Sequence, residues 1–471
     1  MVFNSLVFVV FLAVVLGIYF RLGLRGQNRL LIVASYVFYG WWDWRFLGLL
    51  VFSTVFDWWA ALKIDAADDP RKRKLWLIGS MVVNMGILGF FKYFNFFAET
   101  FADVLGFFGF VAHVPTLQVI LPLGISFYTF LSMSYTIDVY RKALKPTSRL
   151  SDFVLFVSFF PHLVAGPIVR ASYLLPQCQK PRVIVRAEVL NGIWLCLMGF
   201  VKKVVIADRL GHVADWGFSP GGTPGDANAW LVVYAFAFQI YGDFSGYSDI
   251  ARGLSKLMGF ELPLNFRAPY LVGSPSAFWQ HWHISLSTWL RDYLYIPLGG
   301  NRGSSWATYR NLMLTMLLGG LWHGAGLAFL IWGLYHGLLL VGHRVWSGLR
   351  TATESSRLRQ AISVFLFFHL TCIGWLFFRA GTVPTGQSSA VITGFLTAMF
   401  SFRLDSGGID GIAQSVGMLG ALALFLQCKC DEMERFSSWP ERKQAIAVAS
   451  ALSLIAAVGE FHGGSFIYFQ F

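Results

Sequence analysis

LLGGLWHGAGLAFLIW, residues 317–332, is small or apolar at every position except His323. An ionisable ring in such a run costs a few kcal/mol in lipid, so side chains of this kind usually face a cavity and mark function. The stretch reads as membrane-embedded helix, and the composition of the whole chain agrees. Of 471 residues 56% are hydrophobic and 13% are charged, where soluble proteins carry about a quarter charged. Mean hydropathy is +0.58. These values specify an integral membrane protein.

Outward from that stretch, apolar runs able to enter a hydrocarbon layer about 30 Å thick lie near 3–20, 30–42, 46–62, 75–97, 119–137, 188–206, 230–250, 311–342, 361–379, 411–427 and 444–459. The N-terminal MVFNSLVFVVFLAVVLGIYFRLGLR is apolar from its second residue for about a full crossing, so it reads as a first helix and not as a removed leader. The expected architecture is an all-α polytopic bundle of about 11–12 transmembrane helices, with re-entrant or interfacial segments, in a single membrane domain over 1–471. The net charge of +12 sits in short basic clusters between the runs: Arg21 to Arg29, Lys63 with 71–74, 141–149, Arg170 to Arg186, Arg252 to Arg310 and Arg344 to Arg359. That is a topology signal and requires no nucleic acid. With the clusters cytoplasmic, the N-terminus lies outside.

Two stretches break the alternation. FVLFVSFFPHLVAGPIVR, 153–170, has two prolines within one apolar run between basic clusters, which predicts a re-entrant or interfacial segment. Residues 271–325 are aromatic, half polar and too wet for lipid, which predicts a cavity lining. The longest polar stretches are 218–229 and the loop around 402–410.

His281, His283 and His323 carry the chemistry. Each could be a packed, satisfied histidine. The functional reading uses a ring that can take and return a proton near neutral pH. His281 and His283 would share a face on a strand, but ISLSTWLRDYL (284–294) reads as helix, where side chains two apart diverge, so a shared metal is disfavoured. Cys178, Cys196, Cys372, Cys428 and Cys430 are odd in number and show no paired metal-ligand spacing. Asp243 and Asp249 read first as structural, bonding helix ends or pairing with Arg252 or Lys256, and second as shaping a cavity floor. Arg291 and Asp292, adjacent on a helix, are each expected to have a scaffold partner elsewhere. Gly319 and Gly320 before His323, and Gly324 and Gly326 after it, permit close helix approach or a backbone break. No phosphate-binding loop and no Ser-His-Asp spacing is present, so acyl chemistry would centre on histidine.

FWQHWHISLSTWLRDYLYIPLGGNRG (278–303) with YRNLMLTMLLGGLWHGAGLAFLIWGLYHG (309–337) resembles the signature of the membrane-bound O-acyltransferase superfamily, with the signature region at 271–342. The likeness is to its bacterial branch of alginate or exopolysaccharide O-acetylation and teichoic-acid D-alanylation membrane subunits. LPLGISFYTFLSMSYTIDVYR (121–141), GFVKKVVIADRL (199–210), YGDFSGYSDIARGLSKLMGFELPLNFRAPY (241–270) and FIYFQF (466–471) support it. The resemblance implies that His323 is the catalytic histidine and His283 the second family position, with Trp322, Trp282 and Ser285 as substrate-binding neighbours. It further implies a cavity open to the cytoplasm that narrows at the histidine and connects to the far side. An acetyl group from a cytoplasmic thioester such as acetyl-CoA, without a metal, would pass to a polysaccharide such as alginate through a periplasmic or membrane-anchored transferase of the serine-hydrolase type. The expected location is the bacterial inner membrane, multi-pass and in contact with lipid. A thioester is already activated, so the site needs a base for the acceptor hydroxyl, a donor toward the carbonyl and exclusion of water. His323 would be the base, and His283 would hydrogen-bond the carbonyl or hold the donor. The alternatives are D-alanyl transfer from a carrier protein and, at greater distance, a transporter or flippase with His323 as proton relay.

Overall fold

The structure, a computed structural model, describes residues 1–110, 120–219, 226–349, 356–383, 386–401, 410–461 and 466–467. All regular elements among the described residues are helical. Six segments are long and apolar enough to cross a membrane: Leu24–Ala66, Pro70–Phe107, Arg186–Phe218, Leu327–Gly348, Arg357–Ala380 and Gly411–Cys428. The protein is a multi-pass membrane protein. Helices Leu6–Tyr19 and Ser388–Phe400 are shorter and also apolar. The described helices divide into two compact units, Met1–Val189 with 254–263, and Leu190–Gly253 with 264–471.

In the first unit, long helices Leu24–Asp43, Leu47–Ala66, Pro70–Leu88 and Ile125–Tyr140 enclose polar groups that satisfy one another. Asp57 Oδ1 accepts from Ser80 Oγ at 2.7 Å and from Asn84 Nδ2 at 2.9 Å. A carboxylate withdrawn from water needs such partners, since a buried polar group left unbonded is costly. The stretch 153–170 is the broken element its prolines predict. Leu150–Ser158 stops at Phe159, whose φ −51° and ψ 110° leave the helical region, and Phe160–Leu163 adds a single turn. Almost every side chain from 152 to 169 is buried, so the interrupted backbone is covered by protein, as membrane depth requires.

The second unit holds the quoted stretch, and here the structure corrects the sequence reading. The apolar run at 311–342 is two helices, Ser305–His323 and Leu327–Gly348. Ser304 caps the first by accepting the Ala307 N–H on its Oγ at 3.2 Å. The chain turns at Gly324 and Gly326, where Gly326 N–H reaches the Gly324 carbonyl at 3.1 Å. The two helices run antiparallel because small residues face each other. A Cβ at Gly320 would stand 2.3 Å from the Phe329 carbonyl, and one at Gly333 2.4 Å from the Met316 carbonyl. Close backbone approach of this kind is how helices associate where lipid removes the hydrophobic drive between them. Hydropathy alone could not divide the run, since both helices and the turn are apolar.

Elsewhere in this unit Asp226–Leu257 forms one helix of 32 residues, and a π-helical stretch, Val201–Ala207, packs beside it. Lys202 meets Asp249 at 2.6 Å, while Lys203 meets both Asp243 and Asp208 at 2.8 Å. The structural reading of the two aspartates holds, with Arg252 near Asp249 as expected and the two lysines as added partners. Arg252 stands 4.0 Å from Asp249 and is engaged by Glu434 at 2.6 Å; within the first unit Lys256 pairs with Glu188. Asp243 also accepts the Ile467 N–H at 2.6 Å. Of the polar stretches read from the sequence, 220–225 and 402–409 fall outside the described residues, as do 468–471 of the C-terminal motif.

Candidate active site

His323 is the last residue of its helix and is buried. It lines a cavity of about 710 Å³. Met316, Gly319 and His323 contribute from one arm of the hairpin, and Trp332, Leu340, His343 and Arg344 from the other. The remaining wall is Ser276, Trp279 and Gln280 of the Pro275–His281 helix, then Ile284, Leu286, Arg291 and Tyr295 from the segment after it. Trp332 and Arg344 lie on one helix twelve residues apart, about 18 Å at the helical rise. The cavity therefore has unlike ends. One holds the His323 imidazole among rings, and the other holds His343 and Arg344. Arg344 is exposed, and its Nη1 donates to Asn301 Oδ1 at 3.2 Å.

Edge-on to the His323 imidazole stand Trp322 at 5.0 Å, Trp332 at 5.0 Å and Phe378 at 5.3 Å. Such edge-to-face contacts favour one ring orientation.

His283 is fully buried and sits at the N-cap of Ile284–Leu290 with φ 42°. A non-glycine residue in that region is strained, and the surroundings must hold it there. Asn265 does so. Its Oδ1 accepts from Ser285 N–H at 3.2 Å and Ser285 Oγ at 2.9 Å, and its carbonyl accepts from Ile284 N–H at 2.9 Å. A backbone N–H can only donate, so this side-chain atom is the oxygen. His283 Nδ1, 3.1 Å from the same oxygen, then carries the proton and donates. Burial pushes the His283 imidazole down to about 3, and it stays neutral. In that tautomer Nε2 accepts and does not donate.

The five expected site residues thus divide. His323 lines the cavity, whereas His283, Trp282, Trp322 and Ser285 do not. Trp282 packs against Trp375 at 4.6 Å and Phe266 at 4.9 Å, and Ser285 is spent on Asn265. Trp322 links the two histidines, 6.1 Å from His283 and 5.0 Å from His323. His281 donates from Nδ1 to the Ala277 carbonyl at 2.8 Å. Among the described residues no three His, Cys, Asp or Glu side chains gather as a metal site. Arg291 and Asp292, for which partners elsewhere were expected, also pair with each other at 2.7 Å. They begin a π-helical turn, Arg291–Tyr295, whose wider winding alters the angular spacing of neighbours. Asn265, Trp332, Phe378 and Arg344 were not singled out from the sequence. Asn265 lies 18 residues before His283, and nothing in the intervening pattern announces the contact.

The family model described as MBOAT, membrane-bound O-acyltransferase family, matches residues 114–379. The chain belongs to the membrane-bound O-acyltransferase family. It is 44% identical over 468 residues to a probable alginate O-acetylase of Pseudomonas aeruginosa, covering 98% of this chain and 86% of that protein. It is 39% identical to a peptidoglycan O-acetyltransferase of Helicobacter pylori, covering 81% and 77% respectively. A teichoic acid D-alanyltransferase of Bacillus subtilis is 29% identical over 56% of this chain and 70% of its own length. The chain is an O-acyltransferase of this membrane family.

Proposed function

We propose that the protein takes an acetyl group from a cytoplasmic thioester, acetyl-CoA, and passes it across the bacterial inner membrane for O-acetylation of a polysaccharide such as alginate. The observation that carries this reading is the cavity with His323 at one end and His343 and Arg344, about 18 Å along the helix from Trp332, at the other. A coenzyme A thioester is an anionic nucleotide joined by a long neutral arm to an acyl group. The cationic end suits the phosphates, the apolar wall of Met316, Gly319 and Leu340 suits the arm, and about 18 Å of helix separates the two. The basic clusters favour a cytoplasmic side for the cationic end. The alginate O-acetylase relative, aligned over nearly the whole chain, supports acetyl as cargo and polysaccharide as destination.

His323 acts as the base. It takes the proton of the attacking hydroxyl as that oxygen bonds to the thioester carbonyl carbon. The carbon–sulfur bond then breaks, and the imidazolium returns the proton to the departing thiolate. His283 is a positioning residue. Held by Asn265, it backs Trp322, and Trp322 backs His323. A separate periplasmic or membrane-anchored transferase of the serine-hydrolase type carries out the final step on the polymer.

The test uses reconstituted vesicles holding the full-length chain, supplied with acetyl-CoA labelled in the acetyl group. Label transferred to a hydroxyl acceptor, lost with His323→Ala, is the expected result. Movement of solute without acyl transfer would replace the reading with transport. Transfer of D-alanine from a carrier protein and none from acetyl-CoA would change the cargo.

A further inference from the structure

Resting on that reading, the donor's acyl group must sit beside His323, and the space there ends in a double layer of rings. Trp332 both lines the cavity and stands edge-on to the imidazole, at 5.0 Å and 84°. Phe378 backs it, 5.4 Å from Trp332 and 5.3 Å from His323. Phe329 stands edge-on to Phe378 at 5.2 Å and 88°. The Phe329 ring occupies the place that a Cβ would take at two glycines, 2.1 Å from the ideal position at Gly324 and 2.7 Å at Gly381. Trp332, Phe378 and Phe329 are 1%, 1% and 3% exposed. Seated against two stretches of bare backbone, the Phe329 ring cannot retreat, and close-packed interiors hold few voids into which Phe378 or Trp332 could move. Gly324 and Gly381 therefore have a purpose apart from flexibility. They admit the ring that stands behind Phe378.

We propose that Trp332, backed by Phe378 and Phe329, gauges acyl length and restricts transfer to a two-carbon acyl group. A longer chain must displace a packed ring. Its extra methylenes meet a wall that offers no room for them, and discrimination in such pockets amounts to roughly 10–200-fold for a single methylene.

Membranes containing the full-length protein are given equimolar acetyl-, propionyl- and butyryl-CoA, and the acyl groups transferred are counted by mass spectrometry. The product ratio does not depend on how much protein is folded. The wild-type protein should favour acetyl over butyryl by more than about 100-fold. Trp332→Leu and Phe378→Leu should bring that ratio to within about tenfold, chiefly through a lower KM for butyryl-CoA. Wild-type protein that uses butyryl as readily as acetyl overturns the gauge, as do leucine variants that still transfer acetyl at an unchanged ratio. Should the leucine variants fail to accumulate, the wild-type ratio and a smaller shift in Trp332→Phe decide. Wild-type membranes that transfer no acyl group from any of the three overturn the acetyl-CoA reading itself, a result distinct from lost selectivity.

Discussion

His323 closes a helix and faces a cavity, ringed by Trp332, Phe378 and Trp322. His283 opens a helix in a left-handed backbone conformation, off the cavity, with its Nδ1 proton given to Asn265. Both imidazoles are buried, and both fall in the motif-bearing part of the chain, yet they are held by different physics. Ring contacts fix orientation by shape and quadrupole. A hydrogen bond fixes in addition which nitrogen carries the proton. The first arrangement suits a group that must gain and lose a proton beside a substrate, the second a group whose task is to stay in one state. Burial alone therefore does not rank the two.

The comparison can be broken most severely at the hairpin that carries His323. Gly320→Ala places a methyl 2.3 Å from the Phe329 carbonyl, an overlap only separation of the helices can relieve. Little folded protein should be recovered from membranes. Normal yield and full activity would show that the close approach does not set the site. On the other side, Asn265→Leu removes the acceptor shared by Ser285 N–H, Ser285 Oγ and His283 Nδ1. Each buried group left unbonded costs about 1–3 kcal/mol, so a lower unfolding temperature in detergent and at least tenfold slower transfer are expected. An unaltered rate would detach the Asn265 knot from function. His283→Ala should slow transfer by up to about 10²-fold, as misplacement does, well short of the up to about 10⁴-fold for loss of a base at His323. Equal and complete loss in both would join them as one coupled pair.

The smallest effect is on pH dependence. Folding holds the His283 ring neutral down to about 3 from its ordinary 6.5, whereas the unfolded chain takes up a proton below about 6.5. The unfolded state thus binds more protons in that window, and stability falls as pH drops from about 6.5 towards 3, with no contribution above it. His283→Asn should flatten the decline in unfolding temperature over that range by at most one proton's worth. An unchanged slope would place the ring in contact with water.

Much of this was legible in the sequence because membrane chemistry writes itself in composition. The helical class, the broken segment at 153–170 and the polar cavity wall within 271–325 all follow from apolar runs and their interruptions. The division of 311–342 was marked by Gly324 and Gly326 but hidden by uniform hydropathy. The π-helical turns at Val201–Ala207 and Arg291–Tyr295 have no residue signature, and they carry Lys202 and Lys203, which reach Asp249 and Asp243, and Arg291, which meets Asp292. Asn265 was invisible for a related reason. A polar hub is defined by what folds around it, and its partners are 18 to 20 residues away. Trp282 and Ser285 stand beside the motif histidine in sequence but off the wall of this cavity, which is set by which helix face turns inward.

The central claim is that His323 works by moving a proton. The most direct measurement is extracellular acylation in cells producing His323→Gln, taken together with the amount of inserted protein. Glutamine keeps much of the size and hydrogen-bonding capacity of the ring but cannot accept a proton near neutral pH. The account predicts a normal amount of protein with acylation reduced by roughly 10²–10⁴-fold, as low as in His323→Ala. Near-normal acylation with glutamine at 323 would contradict it.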